Sequence, residues 1–173
     1  MGKKFSKKGF TLIELLVYLS IFGILMVAIT TFAFTFIEAN AKSKIKKEVS
    51  LAAYSTIKSI TYEIKRASDI YEPTSIFINH PGQLSLTTIN NLPSGEKIGH
   101  IDFYLDEGRL YLKRESQNPQ ALTSENIRVS ELKFEHLSYF PDSVKIILTL
   151  YYNSAAPKYN YSYSLNSVAD IRK

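Results

Sequence analysis

The chain of 173 residues has no cysteine. Disulfide bonds, thiol nucleophiles and cysteine-containing zinc sites are therefore excluded, and any exported part of the chain must fold without covalent cross-links. Glycine and proline are also scarce, with seven and six residues. This length leaves room for little more than one compact domain of ordinary size.

The positive charge is concentrated at one end. The formal net charge is +5, from 21 basic and 16 acidic side chains. Four of the lysines lie within the first nine residues: Lys3, Lys4, Lys7 and Lys8. Without these four, 17 basic and 16 acidic side chains remain. Because the rest of the chain is nearly neutral, its charge gives no reason to expect a nucleic-acid partner.

An apolar segment follows the lysines. It spans residues 10–37 and contains one charge, Glu14. A helix rises about 1.5 Å per residue, so this segment exceeds the ~30 Å hydrocarbon core of a bilayer. No small-residue cleavage site of a secretory signal peptide follows it. The preceding lysines predict a single span in the cytoplasmic membrane, with the N-terminus in the cytoplasm and the C-terminal part outside it.

Glu14 is costly in such a segment. A carboxylate at the centre of a membrane helix costs roughly 2.5–3.5 kcal/mol on insertion scales, so a plain anchor would be more stable without it. One interpretation is that a second charge meets Glu14. The other is that its side chain reaches the lipid headgroups, because Glu14 lies only four residues after Phe10.

The helical pattern continues beyond the apolar segment. No glycine or proline lies between Gly23 and Pro73, and apolar residues recur at intervals of three or four. This stripe consists of Ile45, Val49, Ala53, Ile57, Ile60, Ile64 and Ala67. We expect an amphipathic continuation of the helix over residues 38–72, which ends near Asp69 and Pro73. The stripe should pack on a sheet or, alternatively, on a coiled-coil partner.

Residues 73–173 have the pattern of a β-rich head domain, in which strand-forming runs alternate with turn residues. The predicted strands are Thr74–Ile78, Leu84–Ile89, His100–Leu105, Arg109–Lys113, Ile127–Tyr139 (bulged or broken), Ser143–Tyr152 and Tyr159–Leu165. Hairpins are predicted at Asp106-Glu107-Gly108 and at Pro141-Asp142. The predicted fold class is α+β: a long N-terminal helix packed on a C-terminal antiparallel sheet, whose other face meets water.

The sequence shows no arrangement typical of an enzyme or a metal site. His80, His100 and His136 fall on separate predicted strands or loops without ligand spacing, and we expect no enzyme activity and no cofactor. Tyrosines crowd the end of the chain: Tyr151, Tyr152, Tyr159, Tyr161 and Tyr163. They suit either a contact surface for carbohydrate or protein, or a half-buried strand face with hydroxyls in water.

The start of the chain resembles a known signal. Residues 9–29 read GFTLIELLVYLSIFGILMVAI, with a Gly-Phe junction followed by a glutamate. This resembles the class III signal of type IV prepilins and type II secretion pseudopilins. The resemblance implies that residues 1–9 are a leader, that prepilin peptidase cuts between Gly9 and Phe10, and that the new amino group of Phe10 is methylated. It also implies that Glu14 pairs with the Phe10 amine of a neighbouring subunit during filament assembly.

The distal part is similar to J-type minor pseudopilins and their minor-pilin relatives. The similar segments are Ile64-Lys65-Arg66-Ala67-Ser68, the hairpin FYLDEGRLYLKR and the stretch ALTSENIRVSELKF. The chain departs from many pilins by lacking a C-terminal disulfide, and by having Thr31 where many major pilins have proline. Gly23, Thr30 and Thr31 are therefore the positions at which we expect the helix to loosen.

The leading functional hypothesis is a structural subunit, a minor pilin or pseudopilin that is stored in the membrane and assembled into a type IV pilus or a type II secretion pseudopilus. The implied partners are prepilin peptidase, other pilin or pseudopilin subunits, a membrane assembly platform and membrane lipid. The alternative is a static membrane-anchored binding module for DNA, sugar or a secreted protein.

Overall fold

The computed structural model describes residues 9–90, 92, 95–138 and 141–172. The chain divides into two units, one ending at Ser43 and the other beginning at Lys44. Helix α1 (Leu12–Arg66) belongs to both, and eight strands follow it in the described residues. These are β1 (Asp69–Ile70), β2 (Leu84–Thr88), β3 (Gly99–Asp106), β4 (Arg109–Arg114), β5 (Gln120–Ala121), β6 (Ile127–Leu137), β7 (Ser143–Tyr152) and β8 (Ser162–Asp170), with 3-10 helices at Glu72–Thr74 and Pro157–Tyr159.

The first unit contains the apolar part of α1. Its large apolar side chains, from Phe10 to Ile37, are exposed. The helix is long and apolar enough to cross a membrane, and an apolar surface of this extent is stable where lipid or protein covers it. The unit is therefore consistent with membrane anchoring.

The second unit contains the amphipathic part of α1, which supplies one side of the core. The stripe is buried as predicted: Val49, Ala53, Ile57, Ile60 and Ile64 lie in the helix and Ala67 directly after it, while Ile45 is half-buried. Fully burying one such aliphatic side chain contributes roughly 1.5–3 kcal/mol. Because these side chains pack in the same cluster as strand residues such as Phe103 and Phe134, the predicted packing on a sheet is confirmed.

The helix ends earlier than predicted. It stops at Arg66, and β1 begins at Asp69, whereas the sequence favoured continuation through residue 72. The Ser68 N–H and Oγ both donate to the carbonyl of Thr87, at 2.8 and 2.9 Å. The chain thus leaves the helix to pair with β2 several residues before Pro73, so proline does not end the helix. Pro73 itself lies inside a 3-10 helix.

The strands form two antiparallel sheets rather than the single sheet predicted. The five-stranded sheet has the order β1-β2-β3-β4-β5, and the three-stranded sheet has the order β6-β7-β8. Among the described residues, a single backbone hydrogen bond, from the Val129 N–H to the Gly108 carbonyl at 2.8 Å, joins β6 to the β3–β4 turn. Two loop residues also form backbone hydrogen bonds with β6. The N–H groups of Ile78 and Gly82 donate to the carbonyls of Phe134 and Leu132, respectively. A longer ladder between the sheets is thereby prevented.

Most strand positions are confirmed, with small shifts at their ends. The bulge predicted in the sixth strand occurs between Val129 and Glu131, whereas Tyr139 lies outside the described residues. The strand predicted at Thr74–Ile78 is wrong, since only the bridge from Ile76 to Gln83 forms there. The last strand runs from Ser162 to Asp170 and not from Tyr159 to Leu165, because a 3-10 helix occupies Pro157–Tyr159 and the pairing with β7 continues to Asp170, opposite Ser143. The two-residue strands β1 and β5 were not predicted.

Both predicted hairpins are present. Asp106 pairs with Arg109, and between them Glu107 and Gly108 have φ angles of 48° and 74°. Two positive φ values define a type I′ turn, whose twist matches that of the strands. Leu137 pairs with Ser143 in the second hairpin, although residues 139 and 140 of its loop lie outside the described residues. In both sheets, buried side chains alternate with more exposed ones along the longer strands.

Candidate functional site

The candidate site is the first turn of α1. The Thr11 carbonyl accepts the first helical hydrogen bond, from Leu15, at 3.2 Å, which makes Thr11 the N-cap residue. The N–H and Oγ1 of Thr11 both donate to Oε2 of Glu14, at 2.9 and 2.7 Å. In the opposite direction, the Glu14 N–H approaches Thr11 Oγ1 at 3.4 Å. This reciprocal arrangement is a capping box.

The capping box gives the Glu14 carboxylate local hydrogen-bond partners, which offsets part of the cost of a charge in the apolar segment. Its carboxylate satisfies a backbone N–H that the helix leaves unpaired and lies at the positive end of the helix dipole. Both bonds from Thr11 use Oε2, and no hydrogen bond within the described part of the chain reaches Oε1. This local role was not predicted, although threonine followed three residues later by glutamate is a recognisable signal.

Gly9 and Phe10 lie immediately before the helix. Phe10 is 75% exposed, and its ring makes an edge contact with the Tyr18 ring, with centroids 5.8 Å apart. Gly9 is also exposed, and a side chain added there would meet nothing within 4 Å. The peptide bond between them is therefore outside regular structure and accessible. The leader lysines Lys3, Lys4, Lys7 and Lys8 fall outside the described residues.

The positions expected to loosen the helix lie inside α1, which is helical from Leu12 to Arg66. The Thr30 hydroxyl donates to the Met26 carbonyl at 2.7 Å, and the Thr31 hydroxyl to the Val27 carbonyl at 2.9 Å. Such bonds satisfy the hydroxyls in an apolar surrounding and bend helices slightly. Gly23 has open space where a side chain would be. Loosening at these three residues stays a prediction.

The first turn thus unites Phe10, Thr11 and Glu14 at the edge of an apolar helix. Residues 4–30 match the family model for the prokaryotic N-terminal methylation motif. The chain carries a prepilin-type signal. This match supports a precursor of the type IV pilin or pseudopilin type. No curated protein and no solved structure matches the chain, and the J-type resemblance rests on the distal segments alone.

The tyrosine-rich end of the chain packs as a half-buried strand face. Tyr152, Tyr161 and Tyr163 pack against the core cluster. The hydroxyls of Tyr54 and Tyr163 are 3.0 Å apart, and this hydrogen bond is the main reason that the pKa of Tyr163 is raised. This packing accounts for Tyr152, Tyr161 and Tyr163, whereas the Tyr151 side chain is exposed.

The three histidines are separated in the structure, each with its own neighbours. His80 accepts the N–H of Leu132 at 3.1 Å, and the His100 ring makes a tilted contact with the Tyr71 ring, with centroids 4.7 Å apart. His136 lies 3.4 Å from a carboxylate oxygen of Glu72. Among the described residues, no group of three or more histidine, aspartate or glutamate side chains is placed to hold a metal ion.

Proposed function

We propose that this chain is a minor pilin or pseudopilin that prepilin peptidase processes between Gly9 and Phe10 and that assembles into a type IV pilus or type II secretion pseudopilus. The observation that carries the proposal is the prepilin-type signal at residues 4–30, with Glu14 as the single charge of the apolar segment. The exposed Gly9–Phe10 junction supports the cleavage step.

Cleavage would leave the first turn of the helix intact. The capping box uses only Thr11 and Glu14, and both residues lie after the proposed cut. The new amine of Phe10 would then stand one residue before a helix that is already capped. The leader lysines, which favour a cytoplasmic location for the N-terminus, would be removed.

Glu14 can serve the cap and a neighbouring subunit at the same time. Oε2 holds Thr11, and Oε1 is the oxygen that would accept the Phe10 amine of a neighbour. Two unit charges attract much more strongly in a low dielectric than in water, but their desolvation offsets most of this gain. We therefore propose that the pair fixes the register of subunits more than it adds net stability.

Mass spectrometry of the cell-derived protein tests the processing step. We expect a mature chain that begins at Phe10 and carries one added methyl group on its amine. Gly9→Val should retain residues 1–9, because a branched side chain obstructs a peptidase cleft, whereas a Cβ added at Gly9 meets none of the described residues within 4 Å. A wild-type protein that retains residues 1–9, in cells that trim their other pilin-type subunits, would refute the proposal.

The same variant separates the proposal from the alternative of a static binding module. Filament incorporation requires the processed N-terminus, so Gly9→Val should leave the protein in the membrane and outside sheared filaments. A binding module would keep its function without cleavage. Normal biological function of Gly9→Val would therefore favour the alternative.

A further inference from the structure

Strand β8 forms a free edge of the three-stranded sheet. In the described part of the chain it pairs only with β7. The Tyr152 N–H donates to the Tyr161 carbonyl, and the Ile171 N–H to the Asp142 carbonyl, both at 2.9 Å. Since hydrogen-bonded pairs alternate along an antiparallel ladder, these two bonds fix which β8 residues bond β7. The residues whose backbone N–H and C=O groups point away from β7 are Ser162, Ser164, Asn166, Val168 and Asp170.

This edge lacks the usual protection. Natural proteins blunt exposed edges with short strands, bulges, prolines, lysines or covering loops. β8 pairs without a register shift over its nine residues, and its sequence SYSLNSVAD contains no proline and no lysine. The edge strands β1 and β5 have two residues each, and loop residues Ile78 and Gly82 bond the outer side of β6. β8 is thus the long open edge among the described strands.

An apolar groove lies beside this edge. Its volume is about 790 Å³, and its walls come from three elements of the second unit. α1 contributes Tyr54, Ile57 and Thr61, the five-stranded sheet and its following loop contribute Leu112 and Leu122, and β8 contributes Ser167. The Thr61 hydroxyl is buried and has no hydrogen-bond partner within the described residues. The groove therefore lies where a strand added to β8 would place half of its side chains.

The charges at the groove favour an acidic occupant. Lys58 and Lys65 line it and are exposed. Glu63 also lines it, but its carboxylate is buried and forms an ion pair with Arg114. The remaining unneutralised charge beside the apolar floor is positive, and a carboxylate there would be attracted to both lysines.

We propose that β8 and this groove accept an extended segment of another polypeptide by strand addition. The segment pairs with the outward backbone groups of Ser164, Asn166 and Val168, places alternate apolar side chains in the groove, and directs a carboxylate to Lys58 and Lys65. Main-chain bonds supply affinity in this mode of recognition, and the pockets for alternate side chains supply specificity. The inference does not depend on processing or filament assembly.

Selection from a displayed octapeptide library tests the proposal. The bait is the full chain in lipid nanodiscs, beside Asn166→Pro and Asn166→Ala. Proline removes the outward N–H without breaking the β7 ladder, as edge positions allow, whereas alanine keeps the N–H. We expect the wild type and Asn166→Ala to enrich peptides that alternate apolar residues and carry a carboxylate. No enrichment over Asn166→Pro would overturn the proposal. Val168→Pro, which removes another outward N–H, repeats the comparison should Asn166→Pro fail to fold.

Amide hydrogen exchange with the most enriched peptide locates the contact. The amides of Ser164, Asn166 and Val168 should exchange at least about tenfold more slowly when the peptide is bound, because free edge amides are open to solvent. Reversing Lys58 and Lys65 to glutamate should weaken binding by about tenfold or more. Lys47→Glu, on the same helix but outside the groove, should not. Protection elsewhere, with the β8 amides unchanged, would overturn the proposal.

Discussion

Glu14 uses its two carboxylate oxygens differently. Oε2 accepts both bonds from Thr11, and Oε1 is unused within the described residues. At the residue scale, this separates a local function, the start of the helix, from the proposed contact with a neighbouring subunit. A glutamine at this position can still close a capping box but carries no charge. The two functions can therefore be tested independently.

The variant Glu14→Gln should keep the helix and lose assembly. Its amide oxygen can accept the Thr11 N–H, so circular dichroism in micelles should match the wild type. Filament incorporation, measured by immunoblot of sheared filaments, should fall strongly because no ion pair can form with the Phe10 amine. Normal incorporation of Glu14→Gln would show that the charge is not needed.

The matched control is Thr11→Val, which keeps the charge and removes the hydroxyl. Loss of an N-cap side chain costs about 1 kcal/mol of helix stability, so the first turn should fray more in circular dichroism. Incorporation into filaments should stay close to that of the wild type. If Thr11→Val impairs incorporation as strongly as Glu14→Gln does, the cap rather than the ion pair is the essential function.

At the scale of single elements, the hairpin between β3 and β4 contains a residue poorly suited to its position. Glu107 has a φ of 48°, a region that asparagine occupies far more readily. We predict that Glu107→Asn raises the free energy of unfolding by about 0.5–1 kcal/mol. Chemical denaturation measures the change. Glu125→Asn, at an exposed residue outside the positive-φ region, should have little effect, and equal effects would refute the turn argument.

Helix α1 offers a second test at this scale. Apart from its neighbours in the helix, alanine at position 23 would meet no atom of the described residues within 4 Å, and alanine is about 1 kcal/mol more favourable than glycine in a helix. Gly23→Ala should therefore slow amide exchange around Gly23 in the full chain reconstituted in lipid. If loosening near Gly23 accompanies assembly, incorporation into filaments should fall at the same time. Slower amide exchange in Gly23→Ala with unchanged incorporation into filaments would refute the hypothesis that the helix loosens near Gly23 during assembly.

The elements that sequence predicts well are those fixed by local periodicity. The stripe from Ile45 to Ala67 needs only helical spacing, and the turn at Gly108 needs only a residue that tolerates positive φ. The helix end at Arg66 was missed because it depends on a bond from Ser68 to Thr87, nineteen residues later. Tertiary pairing overrides a local stop signal in such cases.

The division into two sheets was missed for the same kind of reason. Strand runs can be read from alternation, but which edges meet is decided by distant contacts, such as those of Ile78 and Gly82 with β6. The residues of the candidate site, in contrast, lie close together in the sequence and can be read from it. Gly9, Phe10 and Glu14 are visible in the signal itself, and the cap of Thr11 could also have been predicted from the spacing.

At the scale of the whole molecule, the ion pair between Glu63 and Arg114 joins the amphipathic part of α1 to β4. Glu63 is only 7% exposed, so removing Arg114 would leave a largely buried charge without its partner. We predict that Arg114→Ala lowers the free energy of unfolding by about 2 kcal/mol. Chemical denaturation of the full chain in micelles, monitored by circular dichroism, measures this loss.

The control for this prediction is Lys133→Ala. It removes the more exposed ion pair with Glu131, and pairs of that kind contribute about 0–1 kcal/mol. Adding Glu63→Gln to Arg114→Ala should recover part of the lost stability, since the buried group is then neutral. A loss no larger than that of Lys133→Ala would show that the Glu63–Arg114 pair is energetically unimportant.

The continuity of α1 has a mechanical consequence. The same helix that begins at Leu12 supplies Val49, Ala53, Ile57, Ile60 and Ile64 to the core, so its backbone hydrogen bonds transmit an axial pull directly to the packed side chains. Under such a load, the second unit would be held to α1 by these five residues. Its resistance to rupture would then be set by how firmly those five residues are held.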